Sequence, residues 1–364
     1  MKRKNIAFII PTLKVGGAER VISTLSNQLN NEFNVTIIVF YKCIPFYTLN
    51  KNVNVVFCLD EYNHETNFYS SIKTHVKLLR KIFSTIKNQK IDVIIGFMTT
   101  ANVYSVIVSK LSNATCIINE RANPKLDDVN SSWRKIRKIF YPFSNKLVLQ
   151  TNAVKEYYKE FIKPSQLEVI NNPLSEKIIS DLNPSLTKKK IILSVGRLDN
   201  TKNQELLIKA FANIKANGWK VNIAGDGIKK DYLKSLIKNL NKEDDIILLG
   251  NISNLENYYN TSSIFAFTSN NEGFPNALIE AMCFGLACIS TNCEYGPSEL
   301  IEDSENGFLI PVNDQMELEK KLQLLMSNTK LRNQFSRNAM RSNSKFRANF
   351  IAKKWKELIY KVCT

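Results

Sequence analysis

A chain of 364 residues, 44% of them hydrophobic, is long enough for two packed domains and too apolar to be disordered. Fifty basic against 33 acidic residues give a net charge of +17, which predicts an anionic partner such as nucleic acid, anionic lipid or a phosphorylated substrate. The sequence contains no run of 18 apolar residues, which excludes an obvious transmembrane helix, and its seven cysteines form no CxxC pair, which favours reduced thiols over disulfides or zinc.

The first half of the chain alternates short β-branched runs with helical patterns. Apolar residues at positions 21, 22, 25 and 29 share one face and predict a helix over 18–30. The opening apolar run stops at Pro11, so we interpret it as the first strand of a cytosolic protein and not as a signal peptide. Uncharged strands separated by helices are typical of a covered parallel sheet, which predicts an α/β, doubly wound fold. The predicted strands of this half span residues 6–10, 34–40, 53–57, 91–97, 115–120, 145–151 and 167–171.

Residues 171–190 interrupt this alternation. They contain two prolines, several Asn and Ser and a lysine run, which indicate a linker between two α/β units. We therefore expect one domain over 1–172 and a second over 173–347. A helix over 350–362 follows the second unit, and we expect the segment 348–364 to pack back on the first. The predicted strands of the second half span residues 191–196, 220–225, 245–250, 263–269, 286–291 and 307–311.

Ligands of parallel sheets bind at the carboxyl ends of the strands, so the strand-to-helix turns are the places to search for a site. The first turn, PTLKVGGAER, holds Gly16 and Gly17, which permit close approach to a phosphate or sugar; a simple tight turn explains them equally well. A later turn, SVGRLDNTKN, places Arg197 and Lys202 five residues apart, with Asn203 available to cap the next helix. Two cations there suit a diphosphate, and the plainer interpretation is a pair of solvated surface charges.

The stretch SNNEGFPNALIEA, residues 269–281, places two carboxylates around a turn between apolar runs. We expect a helix from Pro275 to Gly285, with Glu272 in the loop before it and Glu280 leaning back toward its N-terminus. The backbone amides expected to be unpaired at the positive end of this helix are those of Gly273, Phe274 and Asn276. Acids for hydroxyls and amides for an anion fit a sugar nucleotide, whereas a simple helix-dipole partner explains Glu272 but not the second acid.

Taken together, G-R-L-x3-K-N, A-G-D-G and E-G-F-P-N-A-L-I-E-A-M resemble the motifs of the retaining glycosyltransferases of family 4. The resemblance covers essentially the whole chain and includes the paired-glycine turn, VINNP at 169–173 and the closing helix. It implies the GT-B fold, in which two Rossmann-like domains face a cleft. Within the family, the chain is similar to enzymes that extend polyprenyl-diphosphate-linked glycans, among them bacterial α-1,4-GalNAc transferases and transferases of capsule and O-antigen assembly.

The resemblance implies a nucleotide-sugar donor, most simply a UDP-sugar carrying a hexose or N-acetylhexosamine. It assigns Arg197 and Lys202 to the donor diphosphate, Glu280 to the ribose hydroxyls and Glu272 to the transferred hexose. The first domain would then bind the polyprenyl-diphosphate-linked acceptor and the second the donor. The donor-binding residues expected from the motifs are Gly16, Gly17, Arg197, Lys202, Gly225, Asn251, Ile252, Glu272, Gly273, Phe274, Pro275, Asn276 and Glu280.

The expected catalytic chemistry needs no metal and no cofactor. No D-x-D sequence occurs, so the leaving diphosphate has to be stabilised by fixed cations and a helix N-terminus. Many relatives carry a histidine after the fifth strand, where this chain has Glu120 and Arg121; an arginine supplies positive charge but cannot act as a base. The family's usual proposal is front-face transfer with retention. The expected catalytic residues are Glu272, Arg197, Lys202, Glu120 and Arg121.

Two stretches of the first half, 66–91 and 129–155, contain no acid and six Lys or Arg each. Both place cations beside an apolar stripe, at 72, 76, 79, 83 and 86 in the first, as an interfacial helix does when it meets anionic lipid. The alternative is that both stripes pack into the core of the first domain and the cations are solvated. The residues expected to contact the membrane or acceptor are Lys73, Lys77, Arg80, Lys81, Trp133, Arg134, Arg137, Lys138 and Phe140.

Three other classes of protein fit the sequence less well. A nicotinamide or flavin oxidoreductase needs a Gly-rich dinucleotide turn that is missing here. A nucleic-acid-binding protein explains the charge, but no recognition motif is present, so we expect no nucleic acid partner. A sugar-nucleotide epimerase with two similar lobes is the nearest enzymatic alternative. We expect a cytoplasmic glycosyltransferase, peripheral on the inner face of the cytoplasmic membrane.

Overall fold

The computed structural model describes residues 3–61, 68–121, 123–125, 129–174 and 176–363. The chain divides into two compact units, Met1–Ser175 with Ala348–Thr364, and Glu176–Arg347. The boundary predicted from the sequence falls a few residues before this one, and Ser175 itself lies outside the described residues. None of the described helices is both long and apolar enough to cross a bilayer.

The described part of the first unit contains a seven-stranded, wholly parallel sheet. The strands lie in the order β3-β2-β1-β4-β5-β6-β7, so the direction of winding reverses between β1 and β4. Its elements in chain order are β1 Asn5–Ile10, α1 Gly17–Leu29, β2 Asn34–Tyr41, β3 Asn54–Leu59, α2 Phe68–Asn88, β4 Val93–Phe97, α3 Thr99–Ser112, β5 Thr115–Asn119, α4 Ser131–Phe140, β6 Lys146–Leu149, α5 Asn152–Tyr158 and β7 Leu167–Val169.

The second unit repeats this plan with a six-stranded parallel sheet in the order β10-β9-β8-β11-β12-β13. Here the winding reverses between β8 and β11. Its elements are α6 Glu176–Ser180, β8 Lys189–Val195, α7 Gln204–Asn213, β9 Lys220–Ala224, α8 Lys230–Asn239, β10 Ile246–Gly250, α9 Leu255–Thr261, β11 Ser262–Phe267, α10 Asn276–Cys283, β12 Ala287–Thr291, α11 Pro297–Leu300, β13 Gly307–Ile310, α12 Gln315–Ser327 and α13 Thr329–Ser342. The last helix, α14, spans Ala348–Val362 and belongs to the first unit.

The last helix packs into the core of the first unit. Ile351, Trp355 and Ile359 are buried together with residues of β1 and α1, and the Trp355 ring stacks on Phe97 of β4. These residues recur every three or four positions, so one face of α14 is apolar and the opposite face carries its lysines. Burial of that face accounts for the return of the chain to the first unit.

All thirteen strands expected from the sequence are present, with bounds within two residues of the prediction. The predicted α/β class with two doubly wound sheets is therefore confirmed. The segment 171–190 was expected to be a linker throughout, but it contains the short helix α6 and the first two residues of β8. The helix expected from Pro275 to Gly285 is shorter and spans Asn276–Cys283, because Pro275 has a non-helical ψ of 77°.

Parallel sheets bind ligands at the carboxyl ends of their strands where the winding reverses, because the two flanking loops diverge there and leave a crevice. In the second unit these are the turns that follow β8 and β11, which carry the two strongest motifs of the sequence. In the first unit they are the turns that follow β1 and β4. The topology of each sheet thus selects where its site lies.

Candidate functional site

The turn after β8 is held rigid by Asp199, a residue that was not predicted to contribute. Its carboxylate accepts hydrogen bonds from the amides of Thr201 and Lys202 at 2.9 and 3.0 Å. Arg197 Nε lies 3.4 Å from the same carboxylate, and its side chain is 74% exposed. Arg197 is therefore a cation on a fixed loop with most of its guanidinium open to a ligand. Asn203 does not cap α7 through its side chain, which donates instead to Asn270 and Asn313.

The turn after β11 brings the first predicted acid against the second predicted cation. Lys202 Nζ lies 2.5 Å from Glu272 Oε1, and the two side chains are only 21% and 7% exposed. The ammonium also lies 5.6 Å from the centre of the Phe267 ring. The loops are tied together by the backbone, since Asn270 N–H donates to Thr201 C=O at 2.8 Å. The sequence motifs 70 residues apart thus form one structural unit.

Glu280 lies on α10 and is buried. Its Oε2 accepts a hydrogen bond from the hydroxyl of Tyr259, at 3.1 Å, and Tyr259 stacks on Phe284 with a ring separation of 5.2 Å. Burial is costly for a carboxylate, and the tyrosine hydroxyl offsets part of that cost. Tyr259 was missed because nothing in the local sequence NYYN distinguishes this tyrosine from its neighbour.

The remaining donor residues predicted in the second unit lie at the same edge of the sheet or close to it. Gly225 follows β9 with φ 138°, and a Cβ there would lie 2.0 Å from Gly196 C=O, so only glycine fits. Asn251 is exposed and Ile252 half-buried in the turn after β10. In the loop before α10, Gly273 is half-buried while Phe274 and Pro275 are buried. The amide of Asn276 was expected to be unpaired, but it donates to Phe274 C=O at 3.0 Å.

Gly16 and Gly17 belong to the first unit, where Gly17 begins α1. The carboxylate of Glu19 folds over this turn, and a Cβ on Gly16 would lie 2.0 Å from Glu19 Oε2. Glu19 is buried, and this burial raises its pKa. A side chain at position 16 would therefore displace the carboxylate of Glu19, an acid to which sequence analysis assigned no role. An acid in the first turn of a helix is the sequence signal that could have identified Glu19.

Glu120 and Arg121 follow β5, and their side chains lie in different environments. Glu120 is buried and accepts hydrogen bonds from Asn102 Nδ2 at 3.0 Å, from Thr99 Oγ1 at 3.4 Å and from the hydroxyl of Tyr141. Arg121 Nη1 donates to Asn172, and the guanidinium lies 5.1 Å from the centre of the Phe97 ring. Burial lowers the pKa of Arg121 to about 9, an effect that the neighbouring Glu120 carboxylate opposes.

The basic helix α2 is amphipathic, and only part of the predicted stripe is buried, namely Ile86 in the core with Leu79 and Phe83 packed against it. Its core residues are Leu78, Ile82 and Ile86, whereas Ile72 and Val76 are 45% and 40% exposed. The cations predicted to meet an anionic surface are all exposed, namely Lys73, Lys77, Arg80 and Lys81. The exposed apolar edge therefore lies among cations, as membrane contact requires.

Helix α4 corrects one of the predicted membrane residues. Arg137 is buried; its Nη2 donates to Pro124 C=O at 3.2 Å and its guanidinium lies 5.9 Å from the Tyr158 ring. Trp133 is half-buried against His75 and Tyr104. Helical spacing alone could not separate a buried cation from exposed ones on such a short helix. Arg134 and Lys138 are exposed, Phe140 is half-buried, and Ile139 and Phe143 are exposed apolar residues that sequence analysis missed.

Comparison with known proteins decides the family. Residues 176–342 match the family described as glycosyl transferases group 1. The chain is 33% identical over 98% of both chains to a Campylobacter jejuni α-1,4-N-acetyl-D-galactosaminyltransferase named for GalNAc-α-(1→4)-GalNAc-α-(1→3)-diNAcBac-PP-undecaprenol. The chain belongs to the group 1 glycosyltransferases. A second Campylobacter jejuni relative is a 4-α-N-acetylgalactosaminyltransferase named for a diphospho-undecaprenol substrate. It is 30% identical to this glycosyltransferase, and the match covers 92% of this chain and 94% of the relative.

Solved structures place the glycosyltransferase in the GT-B fold class, as the sequence predicted. Anabaena HepE in complex with UDP matches with a TM-score of 0.80 and 19% identity, over 98% of this chain and 100% of that one. Sucrose-phosphate synthase from Thermosynechococcus elongatus matches with a TM-score of 0.84 and 16% identity, over 99% of each chain. At such identities the likeness establishes the fold alone.

Proposed function

We propose that this glycosyltransferase moves a hexose or N-acetylhexosamine from a UDP-sugar to a polyprenyl-diphosphate-linked glycan in the assembly of a bacterial glycan. The observation that carries the proposal is the grouping of Arg197, Lys202, Glu272 and Glu280 around the point of reversed winding in the second sheet. The Campylobacter relatives are named for undecaprenol-linked substrates and GalNAc transfer, and HepE is described in complex with UDP. These names support the acceptor and donor classes.

The grouping suits a donor in two ways. Arg197 offers an exposed guanidinium to the leaving diphosphate, and the N-terminus of α10 adds its positive dipole. Glu280 offers a carboxylate to vicinal ribose hydroxyls, with Tyr259 holding one of its oxygens. Glu272 accepts from Lys202, so a bound hexose would share this acid with the lysine. Fixed donors of this kind typically contribute about 3–4 kcal/mol each to transition-state stabilisation.

We further propose that transfer retains the anomeric configuration and needs no metal, as the resemblance to family 4 implies. The leaving diphosphate, held by Arg197 and the N-terminus of α10, would take the acceptor's proton on the face from which it departs. Activity that persists in EDTA, and a product with the donor's anomeric configuration by ¹H NMR, are the expected results. Loss of activity in EDTA that Mg²⁺ or Mn²⁺ restores, or an inverted product, would contradict this part.

Nucleotide specificity tests the donor site directly. Thermal unfolding should be measured with UDP-, GDP- and ADP-sugars for the wild type and for Glu280→Ala, with Glu243→Ala as a control acid in an exposed turn of the same unit. We expect a UDP-sugar to raise the melting temperature of the wild type and of the control, and to lose most of this effect in Glu280→Ala. If no nucleotide sugar stabilises the wild type, or if Glu280→Ala responds as the wild type does, the proposed donor site is wrong.

We also propose that the enzyme acts peripherally on the cytoplasmic face of the membrane, through the exposed edge of α2. Lys73 and Lys77 lie one helical turn apart beside Ile72 and Val76. Replacing both lysines with glutamine should reduce cosedimentation with vesicles that contain anionic lipid, because each basic residue near such a surface contributes about 1 kcal/mol. The control is the pair Lys234→Gln and Lys238→Gln, which has the same spacing on the exposed face of α8. Equal losses in both pairs would indicate a general effect of net charge.

A further inference from the structure

The end of β5 presents buried polar groups on two opposite faces. The amide of Glu120 still donates to Val148 C=O of β6, at 3.2 Å, so the extended backbone continues one residue past the strand. Side chains alternate along an extended backbone. Asn119 and Arg121 therefore lie on one face, where Arg121 covers the Phe97 ring, and Glu120 lies on the other, against α3.

The first of these faces carries hydrogen-bonding atoms that the protein does not use. Among the described residues, no partner exists for Arg121 Nε, for Arg121 Nη2 or for either side-chain atom of Asn119, although all four atoms are buried. Arg121 is held in place by its Nη1, which donates to Asn172 Oδ1, and Asn172 in turn accepts from Gln150 at 3.1 Å. The guanidinium is thus anchored through one nitrogen, while its two other nitrogens have no acceptor within the described part of the chain.

Such atoms are rare in folded proteins, and each one costs about 1–3 kcal/mol when it stays unpaired. The planar fork of a guanidinium matches two oxygens of a phosphate, and a neighbouring amide N–H can bind a third. The site lies after β5, next to β4 and the point of reversed winding in the first sheet. We propose that Arg121 and Asn119 form a phosphate-binding site built from the first unit alone, and that Glu120 is its positioning residue.

On the opposite face, the Glu120 carboxylate is held by donors from the first unit itself. Asn102, Thr99 and Tyr141 direct their donors at its carboxylate, which is buried away from the Arg121 face. Burial and the nearby carboxylate raise the pKa of Tyr141 well above its usual value, so its hydroxyl keeps the proton that it donates. The neighbouring Glu120 carboxylate opposes the effect of burial on the pKa of Arg121, which favours the cationic guanidinium.

The identity of the phosphate rests on the proposed function, but the site itself does not. A sugar-nucleotide donor and a polyprenyl-diphosphate acceptor both carry a diphosphate, so inorganic diphosphate is the probe for the shared chemistry. Isothermal titration calorimetry with inorganic diphosphate should be performed on the wild type, Arg121→Gln and Arg121→Lys. Arg3→Gln is an exposed control in the same unit. We expect Arg121→Gln to weaken diphosphate binding about 10- to 100-fold, Arg121→Lys to weaken it less, and Arg3→Gln to leave it unchanged.

Repeating the titration in saturating UDP shows whether the site binds the diphosphate of the donor or that of the acceptor. Arg121-dependent binding that survives UDP assigns the site to the acceptor's diphosphate, and binding that UDP abolishes assigns it to the donor's. The proposal is overturned if the wild type binds no diphosphate in either condition, or if Arg121→Gln binds it as tightly as the wild type. A failed donor site would appear instead in the thermal response of Glu280→Ala, so the two proposals fail separately.

The positioning role of Glu120 needs a variant that leaves the fold intact. Tyr141→Phe removes one donor to Glu120 but keeps the ring that stacks on Tyr158 at 6.4 Å. We expect this variant to bind diphosphate about 3- to 10-fold more weakly while its melting-temperature response to UDP-sugar, which reports on the second unit, stays that of the wild type. Unchanged diphosphate affinity in Tyr141→Phe would remove Glu120 and its partners from the site.

Discussion

The ion pair between Lys202 and Glu272 should couple the stability of the donor site to its function. At an N–O distance of 2.5 Å and an effective dielectric constant near 20, the gross attraction is about 6–7 kcal/mol. Desolvation of two poorly exposed groups offsets much of it. Removing one partner of a well-buried pair costs about 3–5 kcal/mol, and the partial exposure of Lys202 reduces this to about 2–3 kcal/mol.

A double-mutant cycle measures this coupling. Glu272→Gln should be the more harmful single change, because it removes the carboxylate that pairs with the poorly exposed ammonium of Lys202 and leaves the weaker contact with the Phe267 ring. Lys202→Met in the same chain should recover part of the loss, with a coupling energy of about 2 kcal/mol. Native-state hydrogen exchange, read by mass spectrometry on peptides of β11 and α10, gives the opening free energy of this region independently of the first unit.

Two substitutions whose effects add within about 0.5 kcal/mol would contradict this coupling, since residues in contact should not behave as independent sites. The exposed pair formed by Lys230 and Asp226, at 2.9 Å in the same unit, is the matched control and should show no measurable coupling. Both single variants of the buried pair should also lose transferase activity. Full activity in either one would remove that residue from the proposed donor site.

Three further predictions concern the second unit. Tyr259→Phe keeps the stack on Phe284 but removes the hydrogen bond to Glu280, so UDP affinity should fall about 5- to 10-fold by titration, and an unchanged affinity would contradict the assigned role of Glu280. Gly225→Ala should lower the free energy of unfolding by more than about 3 kcal/mol in a denaturant titration, because its Cβ would overlap a backbone carbonyl at positive φ. The Lys188 residue is exposed, but its ammonium donates to the carbonyls of Tyr259 and Phe284, and desolvation there lowers its pKa from 10.5 to about 8. Between about pH 8 and 10 the unfolded chain therefore binds more protons, and stability rises with pH. Unfolding free energies across that range should show a steeper rise for the wild type than for Lys188→Met, and equal slopes would show that the lysine is not desolvated.

The sequence by itself determined the order and class of the elements. Strands such as IAFII and SIFAFTS are continuous β-branched and aromatic runs, which fit only the interior of a sheet covered on both faces, and the turns between them limit each run. The same alternation fixed the two sheets and therefore the edges at which ligands bind. The motifs around Arg197 and Glu280 could be assigned to one of those edges because each directly follows a predicted strand.

Tertiary structure alone decided which side chains meet. The partnership of Lys202 with Glu272 joins residues 70 positions apart, and that of Tyr259 with Glu280 depends on how α9 packs beside α10. Burial likewise separated Arg137 from the exposed cations of its own helix. Helical and strand periodicity describe a residue's direction relative to its own element, whereas pairing and burial depend on which other element lies opposite.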